Sequence, residues 1–165
     1  MSGRTDSLRP KLPLLDRLLD DAPEQALDSS LSAGEALRIL RRSVQRDLEA
    51  LLNARRRWRS WPSYCRELKV SPIGFGIPDF TSGSVHDTRS REWLRAEVEA
   101  AIRTFEPRFS AVHVTVVEVE DKLSATLRFQ IEAMLRVEPA PEPIAFVTVL
   151  ETATSEVTVR ASSNV

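Results

Sequence analysis

Two oppositely charged residues, Glu106 and Arg108, stand on either side of Pro107. The proline makes the chain leave a helix at this point and stiffens the junction with the next element. A carboxylate and a guanidinium held this close suit ionic pairing rather than acid catalysis. An adjacent guanidinium favours an ionised carboxylate, whereas a general acid must keep its proton. Sugar hydrolysis needs two carboxylates facing the substrate, roughly 5–10 Å apart. Asp79 and Glu92 are the other acids near turns or helix starts, and nothing in the spacing selects a pair. Two readings of Glu106 and Arg108 remain. One is an internal salt bridge that pins the corner. The other is a rigid corner that displays a charged pair to a partner protein. An exposed pair contributes about 0–1 kcal/mol, while truncating one member of a desolvated interfacial pair costs about 2–5 kcal/mol.

A second concentration of chemistry lies at residues 55–61, where Arg55, Arg56, Arg57 and Arg59 interleave with Trp58 and Trp61. Arginines on phosphates and tryptophans under bases would bind nucleic acid. The alternative packs the tryptophans inward and pairs the arginines with acids of a neighbouring chain. The net charge of −1 favours that alternative, because nucleic-acid domains are basic overall. Other chemistries lack a signature. His86 and His113 are far apart, Cys65 is the single cysteine, and Gly74-Phe75-Gly76 lacks the lysine and helix of a phosphate loop. No Gly-x-Ser-x-Gly elbow occurs. The sequence therefore predicts no cofactor, no metal site and no enzyme activity.

The elements that must position these residues can be read from periodicity. Residues 1–30 read as a flexible tail carrying a short amphipathic helix, in which Leu14, Leu15, Leu18 and Leu19 recur around Asp16 and Arg17. That segment is too short to be stable alone and must dock on its own domain or on a partner. Residues 20–32 read as a polar linker. Leu37, Leu40, Val44, Leu48 and Leu51 then mark a helix over about 33–53, with Ser32 and Glu35 as its capping box. Gly and Pro punctuate residues 72–78, predicting turns packed on the core. Leu94, Val98, Ala101, Ile102 and Phe105 mark a second helix over about 88–105. Alternation at Val112–Val116 and Leu123–Leu135, and again over 144–150 and 157–160, predicts strands. The expected fold is α+β, with N-terminal helices packed on a C-terminal antiparallel meander of about four strands. A single domain should occupy 31–160, with 161–165 disordered. The late strands, 144–150 and 157–160, are the expected sheet edges. Apolar residues make up 42% of the 165, and no run approaches the roughly 20 residues needed to span a bilayer. With no signal peptide evident, the expected location is the cytoplasm, without membrane insertion.

Several pieces occur in a telling order. They are Leu14-Leu15-Asp16-Arg17-Leu18, then Asn53-Ala54-Arg55-Arg56-Arg57 with Trp61-Pro62, then Gly76-Ile77-Pro78-Asp79-Phe80, and last Phe105-Glu106-Pro107-Arg108. Over about residues 12–160 the chain resembles the TssE family of type VI secretion baseplate subunits, which are similar to phage-tail baseplate wedge proteins. Phe75 stands where the family often has a tyrosine, and Trp58 where a smaller residue is common. The resemblance implies a structural part without a cofactor. Its implied role is to join the baseplate wedge and to nucleate the contractile sheath by templating its first ring. The implied partners are TssF, TssG, TssK and the TssB–TssC sheath, with six copies around the baseplate. It also implies that Glu106, Pro107 and Arg108 make assembly contacts. Arg55, Arg56, Arg57, Leu14, Leu15 and Leu18 are the further interface candidates. The family has long carried a lysozyme-like label, so a muramidase-type peptidoglycan hydrolase is the alternative.

Overall fold

A computed structural model describes residues 12–19, 24, 31–56, 62, 64–79, 87–117, 126–138, 140–151, 154 and 156–162. The expectations for residues 1–11, for most of the 20–32 linker, for 123–125 at the start of a predicted strand and for 163–165 lie outside these. Three helices come first: α1 (Leu14–Leu18), α2 (Ala33–Asn53) and α3 (Thr88–Phe105). A two-stranded pair, β1 (Arg55–Arg56) and β2 (Ile77–Pro78), sits between α2 and α3, and four strands follow: β3 (Phe109–Val117), β4 (Thr126–Leu135), β5 (Glu142–Glu151) and β6 (Glu156–Ala161). These four pair antiparallel in the order β3-β4-β5-β6. The fold is α+β with a C-terminal antiparallel sheet, as the sequence predicts.

Local chemistry explains the helix bounds. Ser32 Oγ accepts from Glu35 N at 3.2 Å, and Ser32 N donates to Glu35 Oε2 at 2.8 Å, which closes the capping box of α2. Asp87 caps α3 by accepting from Ser90 N. Pro107 follows the last helical hydrogen bond, from Glu106 N to Ile102 O at 2.9 Å, and cannot continue the ladder. The buried face of α2 is Ala36, Leu40, Val44, Leu48, Leu51 and Leu52, with Ser43 set among them. Leu94, Val98, Ala101 and Ile102 form that of α3.

The sheet shows its inner face to both helices. Leu127, Phe129, Ile131, Ala133 and Leu135 of β4 are all buried, and their neighbours across the strands are Ile144, Phe146 and Leu150 of β5 and Val112 and Val114 of β3. Each fully buried side chain of this size contributes about 1.5–3 kcal/mol relative to exposure. Thr148 is buried on the same face and donates to Phe129 O at 3.3 Å.

One expectation fails here. The stretch 144–150 is not an edge, because β5 pairs with β4 on one side and β6 on the other. The edges are β3 and β6. Strand β6 runs through Ala161, and Ser162 N still donates to Ala145 O at 2.8 Å. Odd-numbered residues of β5 thus face β6. Pro143 lacks a donor on that side, where β6 has already ended.

The Gly/Pro-rich stretch packs onto the core as expected, but it is more regular than turns alone. It holds 3-10 turns over Arg66–Val70 and Pro72–Gly74, and β2 pairs parallel with β1. Ile77 is fully buried, and its N–H donates to Ala54 O at 3.1 Å. Gly76 makes this approach possible. Its φ is +105°, and a Cβ there would run into the Ala54 carbonyl.

Candidate functional site

The corner after α3 turns its charges inward. Glu106 is only 5% exposed, Arg108 is half-buried and Pro107 is exposed. Arg108 Nε donates to Glu106 Oε1 at 2.6 Å, and Arg108 Nη2 closes a second bond to Glu106 Oε2, giving the bidentate fork that arginine makes best. The same Nη2 donates to Asp47 Oδ2 at 2.7 Å, and Nη1 donates to Ser43 Oγ at 3.1 Å. Burial lowers the affinity of Arg108 for its proton, but bonding to Glu106 and Asp47 outweighs burial and holds it above its ordinary value. Backbone bonds frame the turn: Arg108 N donates to Glu106 Oε1 at 3.2 Å, and Arg136 N donates to Arg108 O at 2.8 Å. Of the two readings of this pair, the internal salt bridge is what the fold contains.

The network continues to α1. Arg46 Nη2 donates to Ser43 Oγ at 3.2 Å, Arg46 Nε to Asp47 Oδ1 at 3.1 Å, and Arg46 Nη1 to Asp16 Oδ1 at 2.9 Å. Burial again opposes the charge on Arg46, and Asp16 and Asp47 more than offset it. Charges alternate along Asp16, Arg46, Asp47, Arg108 and Glu106, so a ladder spans from the first helix to the corner. The Asp16 side chain is 8% exposed. Its Oδ2 is buried and has no hydrogen-bond partner among the described residues.

This orientation inverts α1. Its aspartate points at α2, and Leu14 and Leu18 are 69% and 72% exposed, with Leu15 and Leu19 more than half exposed too. Leu12, just before the helix, packs against the core.

Arg55 and Arg56 are also engaged within the chain. Arg55 Nη1 donates to Leu52 O at 2.8 Å, satisfying a carbonyl at the C-terminus of α2. Burial pushes its guanidinium down, opposed by Asp79. Arg56 Nη2 donates to Glu97 Oε2 of α3 at 2.6 Å. Arg57, Trp58, Arg59 and Trp61 lie outside the described residues. Phe75 meets Phe105 edge-on at a centroid distance of 5.3 Å, packing the loop against the corner helix.

Sequence reasoning missed Ser43 and Asp47, the α2 partners of Arg108. They lie more than sixty residues away in the chain, and Ser43 interrupts an apolar face without a motif of its own. A serine at a core position of a helical stripe was the available signal. Among the described residues, no group of three or more His, Cys, Asp and Glu could hold a metal ion, and no helix is long and apolar enough to cross a membrane.

Two curated relatives are anti-adapter proteins IraD, from Salmonella paratyphi A (strain ATCC 9150 / SARB42) and Salmonella arizonae (strain ATCC BAA-731 / CDC346-86 / RSK2980). Each is 36% identical over 66 residues, which cover 40% of this chain and 50% of the relative. The chain thus spans about half the length of the curated relatives it matches. The family model described as "Baseplate wedge protein gp25" matches residues 38–140, which take in most of α2, all of α3, the charged corner, and β3 and β4. The chain belongs to the gp25 family of baseplate wedge proteins.

Proposed function

We propose that this protein is a structural subunit of a type VI secretion baseplate, acting in the cytoplasm, that joins the wedge and templates the first ring of the contractile sheath. The observation that carries the reading is the family match, which spans the corner and the helices that brace it. The partners proposed are TssF, TssG and TssK in the wedge and TssB–TssC in the sheath, with six copies per baseplate. The action is presentation of shape, with no covalent step. Leu14, Leu15 and Leu18 are the apolar part of the contact surface. Pro107 and the outer side of Arg108 form its rigid part, set in place by buried Glu106. Arg55 and Arg56 shape the neighbouring surface through Leu52 and Glu97, and Arg57 completes the set of interface candidates.

Templating by a bare strand edge, with β6 as the acceptor, fits poorly with Gln45 and Asn53 of α2, whose side chains bond Val159 and Val157 along that edge. The contact is better placed on α1 and the corner. The test is sheath assembly followed with a fluorescent sheath subunit in cells that carry Leu14→Ser/Leu18→Ser. Sheaths should fail to form while the folded subunit persists at its normal level. Normal sheath dynamics would overturn this placement of the contact. Release of soluble muropeptides from sacculi by the purified protein would instead establish the hydrolase alternative.

The IraD relatives support a second reading, in which the chain binds another protein as an anti-adapter. Both readings make it a binding protein. Intact sheath assembly in cells lacking the chain would favour the second.

A further inference from the structure

Both edges of the sheet are covered by side chains of the flanking helices. On β6, Asn53 Nδ2 donates to Val157 O at 2.8 Å and Asn53 Oδ1 accepts from Val157 N at 2.9 Å. Gln45 Nε2 donates to Val159 O at 2.8 Å. The Asn53 amide therefore treats Val157 as a residue of an adjoining strand would, with one donor and one acceptor. On β3, Val114 O accepts from Arg95 Nη1 at 3.2 Å, Val114 N donates to Glu99 Oε2 at 3.2 Å, and Val112 O accepts from Arg103 Nη2 at 3.0 Å. The two edges share one construction. Side chains eight residues apart on a helix take carbonyls two residues apart on a strand. The β3 cover is ionic and braced, since Arg95 is also held by Glu92 at 2.6 Å. The β6 cover is made of two neutral amides.

An uncovered edge is a template for another chain, and the sequence of β6 says which chain. Set antiparallel against a second copy of itself and centred on Thr158, the strand places Val157 opposite Val159. Those are the residues whose backbone groups face outward and would exchange hydrogen bonds. The same register sets Glu156 of one copy across from Arg160 of the other, an opposite-charge pair. Both side chains are exposed. We infer that β6 is a latent self-pairing edge, held shut in the free subunit by Asn53 and Gln45. Loss of this cover would let two copies join β6 to β6 into one continuous sheet.

The test uses the full chain with Gln45→Ala/Asn53→Ala. Asn53 is exposed, and Asn53→Ala alone serves if the double variant does not fold by circular dichroism. Two results are expected. In dilute solution the Val157 amide should exchange with solvent at least tenfold faster than in the wild type. In sedimentation velocity across a concentration series, the variant should self-associate at least tenfold more tightly than the wild type. Adding Arg160→Glu, which places Glu against Glu156, should abolish the gain in association and leave the fast exchange. Wild-type exchange at Val157 in a folded variant would overturn the inference. Faster exchange with no gain in association, or a gain that survives Arg160→Glu, would overturn it equally.

Discussion

At the corner after α3 the charges point inward, and at α1 the leucines point outward. The two regions break the usual ordering of a soluble protein in opposite senses. The corner hides Glu106 and then satisfies it with a bidentate guanidinium, whose remaining donors go to Ser43 and Asp47. Its charges are paired within the chain, and what it shows a partner is Pro107 and the outer side of Arg108. Helix α1 and its C-cap instead leave four leucines in water, and the helix hides an aspartate with one oxygen unpartnered among the described residues. A buried polar atom without a partner costs about 1–3 kcal/mol, and exposed leucines gain nothing until they are covered. The difference separates two kinds of residue that look alike in sequence motifs. The corner is completed by the fold, whereas α1 is incomplete until something docks on it.

The largest effect is expected from Arg108→Ala. It leaves Glu106 buried without its counter-ion, and breaking a buried pair by removing one partner costs about 3–5 kcal/mol. Arg108 is partly exposed, so about 3 kcal/mol is expected, read from the urea midpoint. Glu106→Gln/Arg108→Met should recover most of that loss, because a paired charge replaced by neutral groups of similar volume is close to neutral. A loss below about 1 kcal/mol for Arg108→Ala would class the corner with ordinary surface pairs. Assembly defects of corner variants must therefore be read beside their stability.

That prediction also shows where the sequence stops being legible. Glu106, Pro107 and Arg108 announce themselves by adjacency, and the helix limits at Ser32 and Phe105 follow from local caps and a proline. The alternation in β4 can be read residue by residue because one face is buried throughout. The partners of Arg108 cannot be read that way, because tertiary packing chose Ser43 and Asp47 from many equivalent residues on α2. The covering of β6 by Asn53 is equally silent. An asparagine at the end of a helix reads as a terminator, and only the strand order reveals what lies beside it. The same limit put 144–150 at an edge: pattern identifies a strand, but adjacency in the sheet is a long-range choice. The parallel pairing of Arg55–Arg56 with Ile77–Pro78 was hidden because two-residue strands carry no period.

A smaller effect is expected at the other end of the charge ladder. Asp16→Ala removes the bond from Arg46 and also removes the unpartnered oxygen, so gain and loss nearly cancel. The global unfolding free energy should fall by no more than about 1 kcal/mol, as for pairs near the surface. The amide of Leu19, which donates to Leu15 O, should still lose its protection from hydrogen exchange, because a five-residue helix does not persist without docking. If global stability falls by much more, α1 is part of the cooperative core.

The smallest stability effect and the most selective functional one belong to the same substitution. Leu14, Leu15, Leu18 and Leu19, all changed to Ser, lose little buried area in the free chain, since each of these side chains is more than half exposed. Surface changes of this kind stay within about 0.5 kcal/mol, so the urea midpoint should not move. Binding to the wedge partners should be lost, because covering exposed leucines is where the apolar gain of docking resides, at about 25 cal/mol per Å². A large fall in stability would mean that α1 buries its leucines within its own chain in solution, and α1 would then be no different in kind from the corner. Unchanged stability together with unchanged partner binding would move the contact surface elsewhere. Only unchanged stability with lost binding keeps the two regions apart, the corner offering a partner a surface the fold has already fixed and the first helix one that docking must cover.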